Sequence, residues 1–341
     1  MTRTLQTLLL IASASLAAGA LPRAQPSSTA ITFETADPAC QKAQLVSTGA
    51  QFPKDRRTLA VRWTGYSNFE LAYNDQIILL DAYFDRGSTY PPLGFKAADV
   101  RRADVILLGH GHFDHMSDAA AVAAKTGAVV VGAPVTVEQL EKQALDRKQI
   151  RTVTGRGGEV LSFKGITIEP ILGRHGEPPA DVTRAFNTAL RAAGGNPTAE
   201  QLAEQATITS RGTSDRRVID EGTIAFLITL NSGFRILYRD SGGRVTDYEK
   251  AVAARTGSVD LILAATSASY TTNLIVDQAL EYVRTYRPRA FMPAHHDAPF
   301  NNLWRPTEPI FQAIKDLDPT IVTISKGYRE PTCFKTGTTV R

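Results

Sequence analysis

This sequence has no arginine-rich tract that alternates with aromatic residues. "KDRR" at 54–57, "RR" at 101–102 and "RR" at 216–217 are short and well separated. The formal charge of +4 therefore describes a mildly basic, solvated surface, and nucleic acid drops out as a partner. No G-x-S-x-G stretch is present either, which removes the serine-elbow hydrolases. Cysteine is scarce: Cys40 and Cys333 lie near opposite ends of the 341 residues, so neither offers a nucleophile beside the cluster described below. The apolar run "LLLIASASLAAGA" (8–20) is too short and too rich in Ser and Gly to span a membrane. With 43% hydrophobic and 21% charged residues, what remains is an ordinary globular chain, long enough for a substantial core.

The same apolar run has another use. Arg3 precedes it and Ala18-Gly19-Ala20 closes it: a charged start, a short apolar segment and a small-x-small cleavage site. That is the pattern of a secretory signal peptide over 1–20, cleaved after Ala20, and it implies a periplasmic or secreted protein with no integral span in the mature chain. Export would give the two cysteines meaning. In an oxidising compartment Cys40 and Cys333 can form one bridge that ties both ends to the body.

Residues 21–57, rich in Pro, Ser, Ala and Gln, read as an N-terminal extension. Regular structure is expected from "TLAVRWTG" (58–65). "FELAYNDQIILLD" (69–81) follows as two strands around Asn74-Asp75, then "ADVILLG" (103–109) as a buried strand. A helix is expected after Ser117 or Asp118, stopped by Gly127. "AVVVG" is the next strand, and Thr136 is expected to cap a helix over 136–145. "EVLSFKGITIEPIL" (159–172) reads as a hairpin, and 176–221 as a polar insertion with helical pieces. "TIAFLITLNSGFRILYRD" (223–240) resumes the strands, and three helix–strand units close the chain, with 331–341 left as a tail. Two β-rich blocks, each trailing helix–strand units, predict an α/β fold in which two mixed sheets pack together with helices outside.

Histidine is sparse in number and concentrated in place. Six occur in the chain, and three of them fall within "GHGHFDHMSD" (109–118), at the end of a predicted strand. His110 and His112 are two apart, so an extended backbone turns both rings to one side. Asp114 and His115 follow with the turn of the chain. Imidazole and carboxylate suit zinc and similar divalent ions. His175 follows "ITIEPIL", and His295 and His296 follow "RAFMP". All six histidines therefore lie at or just after predicted strand ends, where ligands from several strands can converge on one rim.

These residues resemble the metallo-β-lactamase superfamily. "HGHFDH" (110–115) fits its H-x-H-x-D-H motif. "LLD" (79–81) resembles the aspartate-ended strand before it, "YRDSGG" (238–243) the strand ending in a metal-bridging aspartate, and "MPAHHD" (292–297) the final histidine motif. "WTGYSNFEL" (63–71) is similar to the first hairpin of the branch that holds ascorbate-phosphate lactonases and N-acylphosphatidylethanolamine phospholipase D. The resemblance covers about 58–327 and implies an αββα sandwich over 58–330. It implies one metal held by His110, His112 and His175, and a second held by Asp114, His115 and His295, with Asp240 bridging. Asp81 would orient a ligand histidine or the reacting water, and Asp114 would also help orient that water. Three positions depart from the pattern. Gly109 stands where a Thr or Ser hydroxyl is common, Arg239 where Gly is common, and Tyr66 where the branch has a histidine.

The implied cofactor is a pair of divalent ions, zinc first, with manganese or iron as the alternatives. The implied chemistry is water activation against a lactone, ester, amide or phosphodiester bond of a small molecule. An iron-dependent oxidoreductase and a non-catalytic metal-binding protein are the rival readings of the same scaffold. Arg211, Arg216 and Arg217 in the insertion stand as candidate contacts for an anionic substrate group, against a solvated loop as the favoured alternative.

Overall fold

The computed structural model describes residues 30–337; the expected signal peptide lies outside the described residues, as do the last four residues of the expected tail. The first half runs β1 (Thr58–Trp63), β2 (Phe69–Tyr73), β3 (Gln76–Leu80), β4 (Val105–Leu107), α1 (Phe113–Met116), α2 (Ala119–Thr126), β5 (Val129–Gly132), α3 (Pro134–Lys142) and β6 (Ile150–Thr152). A hairpin and the helical insertion follow: β7 (Leu161–Phe163), β8 (Ile166–Leu172), α4 (Ala180–Gly194), α5 (Ala199–Thr209) and α6 (Arg217–Asp220). The remainder is β9 (Ile224–Leu230), β10 (Arg235–Arg239), α7 (Asp247–Thr256), β11 (Leu261–Ala265), α8 (Thr272–Tyr286), β12 (Ala290–Ala294), α9 (Glu308–Leu317), β13 (Val322–Thr323) and β14 (Pro331–Lys335).

The described strands form two seven-stranded sheets, ordered β14-β1-β2-β3-β4-β5-β6 and β13-β12-β11-β10-β9-β8-β7. Each sheet has an antiparallel half and a parallel half. The antiparallel pairings run from β14 to β3 and from β7 to β10; the parallel ones run from β3 to β6 and from β10 to β13. The two β-rich blocks read from the sequence are thus two copies of one plan.

Alternation along the strands explains the layers. Leu59, Val61, Ile78 and Leu80 of the first sheet meet Ile168, Phe226, Ile228 and Leu263 of the second in a shared core. The intervening residues face outwards. Ala60, Ile77 and Leu79 pack under Val122, Ala123 and Leu140 of α2 and α3, and Leu237 and Ile262 pack under α7, α8 and α9. Central strands buried on both faces lose polar alternation, which is why "QIILL" and "LILAA" read as unbroken apolar runs. The order of layers is αββα.

Several boundaries differ from expectation for local reasons. α2 ends at Gly127, whose φ of 77° is the left-handed turn a glycine allows without penalty. α3 begins at Pro134, two residues ahead of the expected Thr136 cap; a proline at the first helical position gives up an amide that had no partner there. Residues 331–335 of the expected tail form β14, which pairs antiparallel with β1 from Thr58↔Lys335 to Arg62↔Pro331. Cys333 of that strand is bonded to Cys40, 293 residues earlier. Part of the N-terminal extension is fastened beside it. Buried Glu70 accepts the amides of Val46 and Ser47 at 2.9 and 2.7 Å, and Arg62 donates to the Ala39 carbonyl at 2.5 Å.

Candidate metal centre

Five strands that share one direction end at the same rim. β3 delivers Asp81, β4 delivers His110, β8 delivers His175, β10 delivers Asp240 and β12 delivers His295, each one to three residues past the strand. His112 sits at the cap position of α1, whose first turn carries Asp114 and His115. The α1 turn therefore places three ligand-type side chains on one short stretch of backbone, two residues after His110.

The seven expected ligands converge. His110, His112 and His175 offer ligand atoms within 4.8 Å of one another, and so do Asp114, His115 and His295. Asp240 lies between the sets. Its Oδ2 is 2.6 Å from His110 Nδ1 and 3.4 Å from His115 Nδ1, one histidine from each group. Asp114 Oδ2 approaches His295 Nε2 at 3.4 Å and His115 Nε2 at 3.7 Å. His296, the sixth histidine, turns away and stacks on Trp63 with ring centroids 4.4 Å apart.

Burial decides the protonation of this cluster. Desolvation, then the neighbouring histidines, holds His110 well below the usual imidazole range and brings His175 down to about 3. Burial lowers His112 as well. All three shifts favour the neutral ring, the form that binds a metal. Burial opposes charge on His115 too, but Asp114 and Asp81 outweigh it and raise the ring to about 9. Burial alone would raise Asp114; His115 and His295 reverse that and hold its carboxyl well below the ordinary range. Asp240 goes the other way, raised by burial and then by the charge of Asp81.

The donor set fits divalent cations on two observations. Asp240 Oδ1, in the midst of the donor set, is buried without a hydrogen-bond partner among the described residues, a state a bound cation would relieve. Three carboxylates, Asp81, Asp114 and Asp240, also crowd a pocket whose imidazoles are mostly neutral, and cations relieve that repulsion.

Asp81 adopts a left-handed backbone, φ 56°, and its Oδ2 lies 2.7 Å from His115 Nδ1. The Ser67 hydroxyl donates to the same oxygen at 2.6 Å and stands 2.9 Å from His115 Nδ1. The hydroxyl missing at Gly109 is thus matched by one from the first hairpin, which sequence reasoning passed over. Gly109 itself donates its amide to Asp81 Oδ1 at 3.0 Å. Arg239 points out of the site, paired with Glu249 at 2.8 Å and lying over the Tyr282 ring. The three insertion arginines do not reach into the cleft: Arg211 pairs with Asp118, Arg216 with Glu177, and Arg217 with Glu138 and Asp215. None of the three lines the cleft and each faces a carboxylate, the arrangement of the solvated-loop alternative.

A cleft of about 160 Å³ opens onto the histidines. Beyond the ligands its walls are Gly176, Pro178, Ser241, Ser267, Ser269 and Tyr270 among others, with no lysine or arginine. His175 is braced by its amide on the Ile219 carbonyl at 3.1 Å, and the insertion's exit packs on the metal loop through Thr213 N to Gly111 O at 2.7 Å. The insertion therefore forms part of the site's frame.

A domain family described as the beta-lactamase superfamily domain matches residues 76–296. A protein of Lawsonia intracellularis named as a metal-dependent hydrolase is 29% identical over 107 residues, 31% of this chain and 45% of that protein. The chain spans about half, or less, of the length of the curated relatives it matches. Among solved structures, Igni18, titled a novel metallo hydrolase from the archaeon Ignicoccus hospitalis, superposes with a TM-score of 0.56 at 14% identity, over 81% of this chain and 98% of that one. A structure titled the CmlA beta-hydroxylase E377D mutant reaches 0.50 at 14% identity, over 81% of this chain and 53% of that one. At such identities the likeness is one of fold.

Proposed function

Since the chain belongs to the beta-lactamase superfamily, we propose that it is a metal-dependent hydrolase whose two ion positions share Asp240. The observation that carries this reading is the pair of ligand sets, each within 4.8 Å, with Asp240 beside one histidine of each. Five imidazoles against two carboxylates suit zinc, and manganese or iron are the alternatives. Bound there, two divalent ions would polarise a substrate oxygen and bring the pKa of water towards neutrality.

The chain's own residues supply order around that chemistry. Asp81, tied down by Ser67 and the Gly109 amide, fixes the ring of His115. Asp114, held ionised, is an acceptor that can orient a water in the cleft. The hydroxyls of Ser241, Ser267, Ser269 and Tyr270 are neutral groups available to position a substrate by hydrogen bonds. The substrate is a small molecule carrying a lactone, ester, amide or phosphodiester bond. The N-terminal pattern from Arg3 to Ala20 and the Cys40–Cys333 bond support export to the periplasm or the medium.

One purified preparation tests the reading. Metal content is measured and the protein is screened against lactone, β-lactam, carboxyl ester and phosphodiester substrates. About two zinc equivalents per chain with hydrolysis of one class is expected. Iron with redox turnover, or no turnover by a fully loaded protein, would overturn it.

A further inference from the structure

One carboxylate beside the centre belongs to neither ligand set. Asp297, two residues past His295, is 1% exposed. Its Oδ2 accepts from Arg86 Nη1 at 2.7 Å and from the Tyr328 hydroxyl at 2.5 Å, and its Oδ1 accepts from the Tyr66 amide at 2.9 Å. The Tyr66 carbonyl in turn accepts the His295 amide at 2.7 Å and Trp63 Nε1 at 2.6 Å. A set of hydrogen bonds thus links Asp297 through the backbone of Tyr66, by its N–H on one side and its C=O on the other, to the backbone of His295.

That backbone needs holding. Tyr66 has φ 48° and His295 φ 60°, left-handed conformations that cost bulky side chains energy and persist where the surroundings over-determine them. Asp297 leaves from the second sheet and bonds to the first hairpin of the other sheet, so it also sets how closely the two rims approach at His295. Arg86, 3% exposed, gives its other nitrogen to the Pro91 carbonyl at 2.8 Å. Arg86 and Tyr328 therefore fix the carboxylate, and the carboxylate fixes Tyr66.

The geometry points to Asp297 as a positioning residue for His295: acting through the backbone of Tyr66, it holds the left-handed turn that aims this imidazole at Asp114, and so governs one ion position without touching an ion. The inference rests on the ligand assignment proposed above.

Asp297→Ala and Asp297→Asn are compared with wild type and with Glu70→Gln, which weakens a buried ion pair elsewhere (Arg62–Glu70, 3.4 Å). Two readouts are taken: amide hydrogen exchange over 290–298 in chelator-treated protein, and zinc affinity by chelator competition, with the visible spectrum of cobalt-loaded protein as a check on coordination. In Asp297→Ala, exchange at His295 should rise about tenfold or more, and one zinc equivalent should weaken by about 10–100-fold. The other equivalent, and exchange over 108–113, should be unchanged. Asp297→Asn should fall between, and Glu70→Gln should leave both readouts at wild-type values. Unchanged exchange at His295, or equal weakening of both equivalents, would overturn the proposal. Should Asp297→Ala fail to fold, Asp297→Asn and Tyr328→Phe carry the same comparison. If wild type binds fewer than two equivalents, the dinuclear reading fails, and the exchange experiment alone decides the role of Asp297.

Discussion

Gly109 and Asp240 compete for one volume. A Cβ added at position 109 would lie 2.0 Å from the Asp240 carboxyl carbon and 2.1 and 2.4 Å from its two oxygens, well short of any van der Waals contact. The glycine that departs from the family pattern is what lets Asp240, the proposed bridging aspartate, reach between His110 and His115. Gly109→Ala should therefore push Asp240 out of place and weaken metal binding by about 10–100-fold, while the sheets stay folded. Calorimetric zinc titration checks this; wild-type affinity in the variant would show that Asp240 has another place to go.

The two adjacent histidines should separate cleanly. His296 stacks on Trp63, so His296→Phe keeps an aromatic ring there and should retain two zinc equivalents. His295→Ala should lose one. Metal analysis of both variants decides, and the reverse pattern would move the ligand by one residue.

Chelator-treated protein should have a characteristic dependence of stability on pH. His175, with a folded value of about 3 against about 6.5 unfolded, binds fewer protons folded than unfolded between those values. Stability therefore falls as pH drops from about 6.5 towards 3, and lowered His110 and His112 act in the same direction. His115, raised to about 9, contributes stability that is present below about 6.5 and lost as pH rises to about 9. Raised Asp240 also loses its contribution as pH rises. Thermal unfolding of chelator-treated protein should be highest near pH 6.5. Adding zinc should raise the midpoint, and more so at higher pH, because protons no longer compete for the ligands. A midpoint that is flat from pH 5 to 8 without metal would contradict the site's electrostatics.

Breaking the Cys40–Cys333 bond should cost about 2–5 kcal/mol and leave the metal centre unaltered, since the bond lies on the first sheet's edge strand, outside the ligand sets. Urea unfolding with and without reductant measures the first, and zinc content the second. Loss of zinc on reduction would couple the bond to the site.

Most strands were legible because double burial writes them as short apolar runs, and the convergence of the candidate ligands because rare residues cluster at the ends of those runs. Other parts depend on partners remote in sequence. "PTCFK" carries no strong strand signal, and becomes β14 only by pairing with β1. Ser67 and Asp297 stand inside quoted stretches, yet their roles exist only once the first hairpin meets the metal loop and the end of β12. The insertion arginines looked available to an anion because Asp118 and Glu138, brought up by other elements, are invisible as neighbours along the chain. Thr136 lost its expected cap role to Pro134, which opens the helix earlier.

The shared plan of the two sheets has one asymmetry. In the second sheet, the strand that flanks the antiparallel half, β7, is made just before the strand it covers. In the first, the equivalent position is filled by β14. During synthesis the outer edge of β1 therefore stays bare while every other strand is made, and an unpaired edge invites pairing with another chain. The half that carries the histidine cluster is the first to emerge and the last to be sealed. Whatever escorts the growing chain has that edge to guard until residues 331–335 arrive.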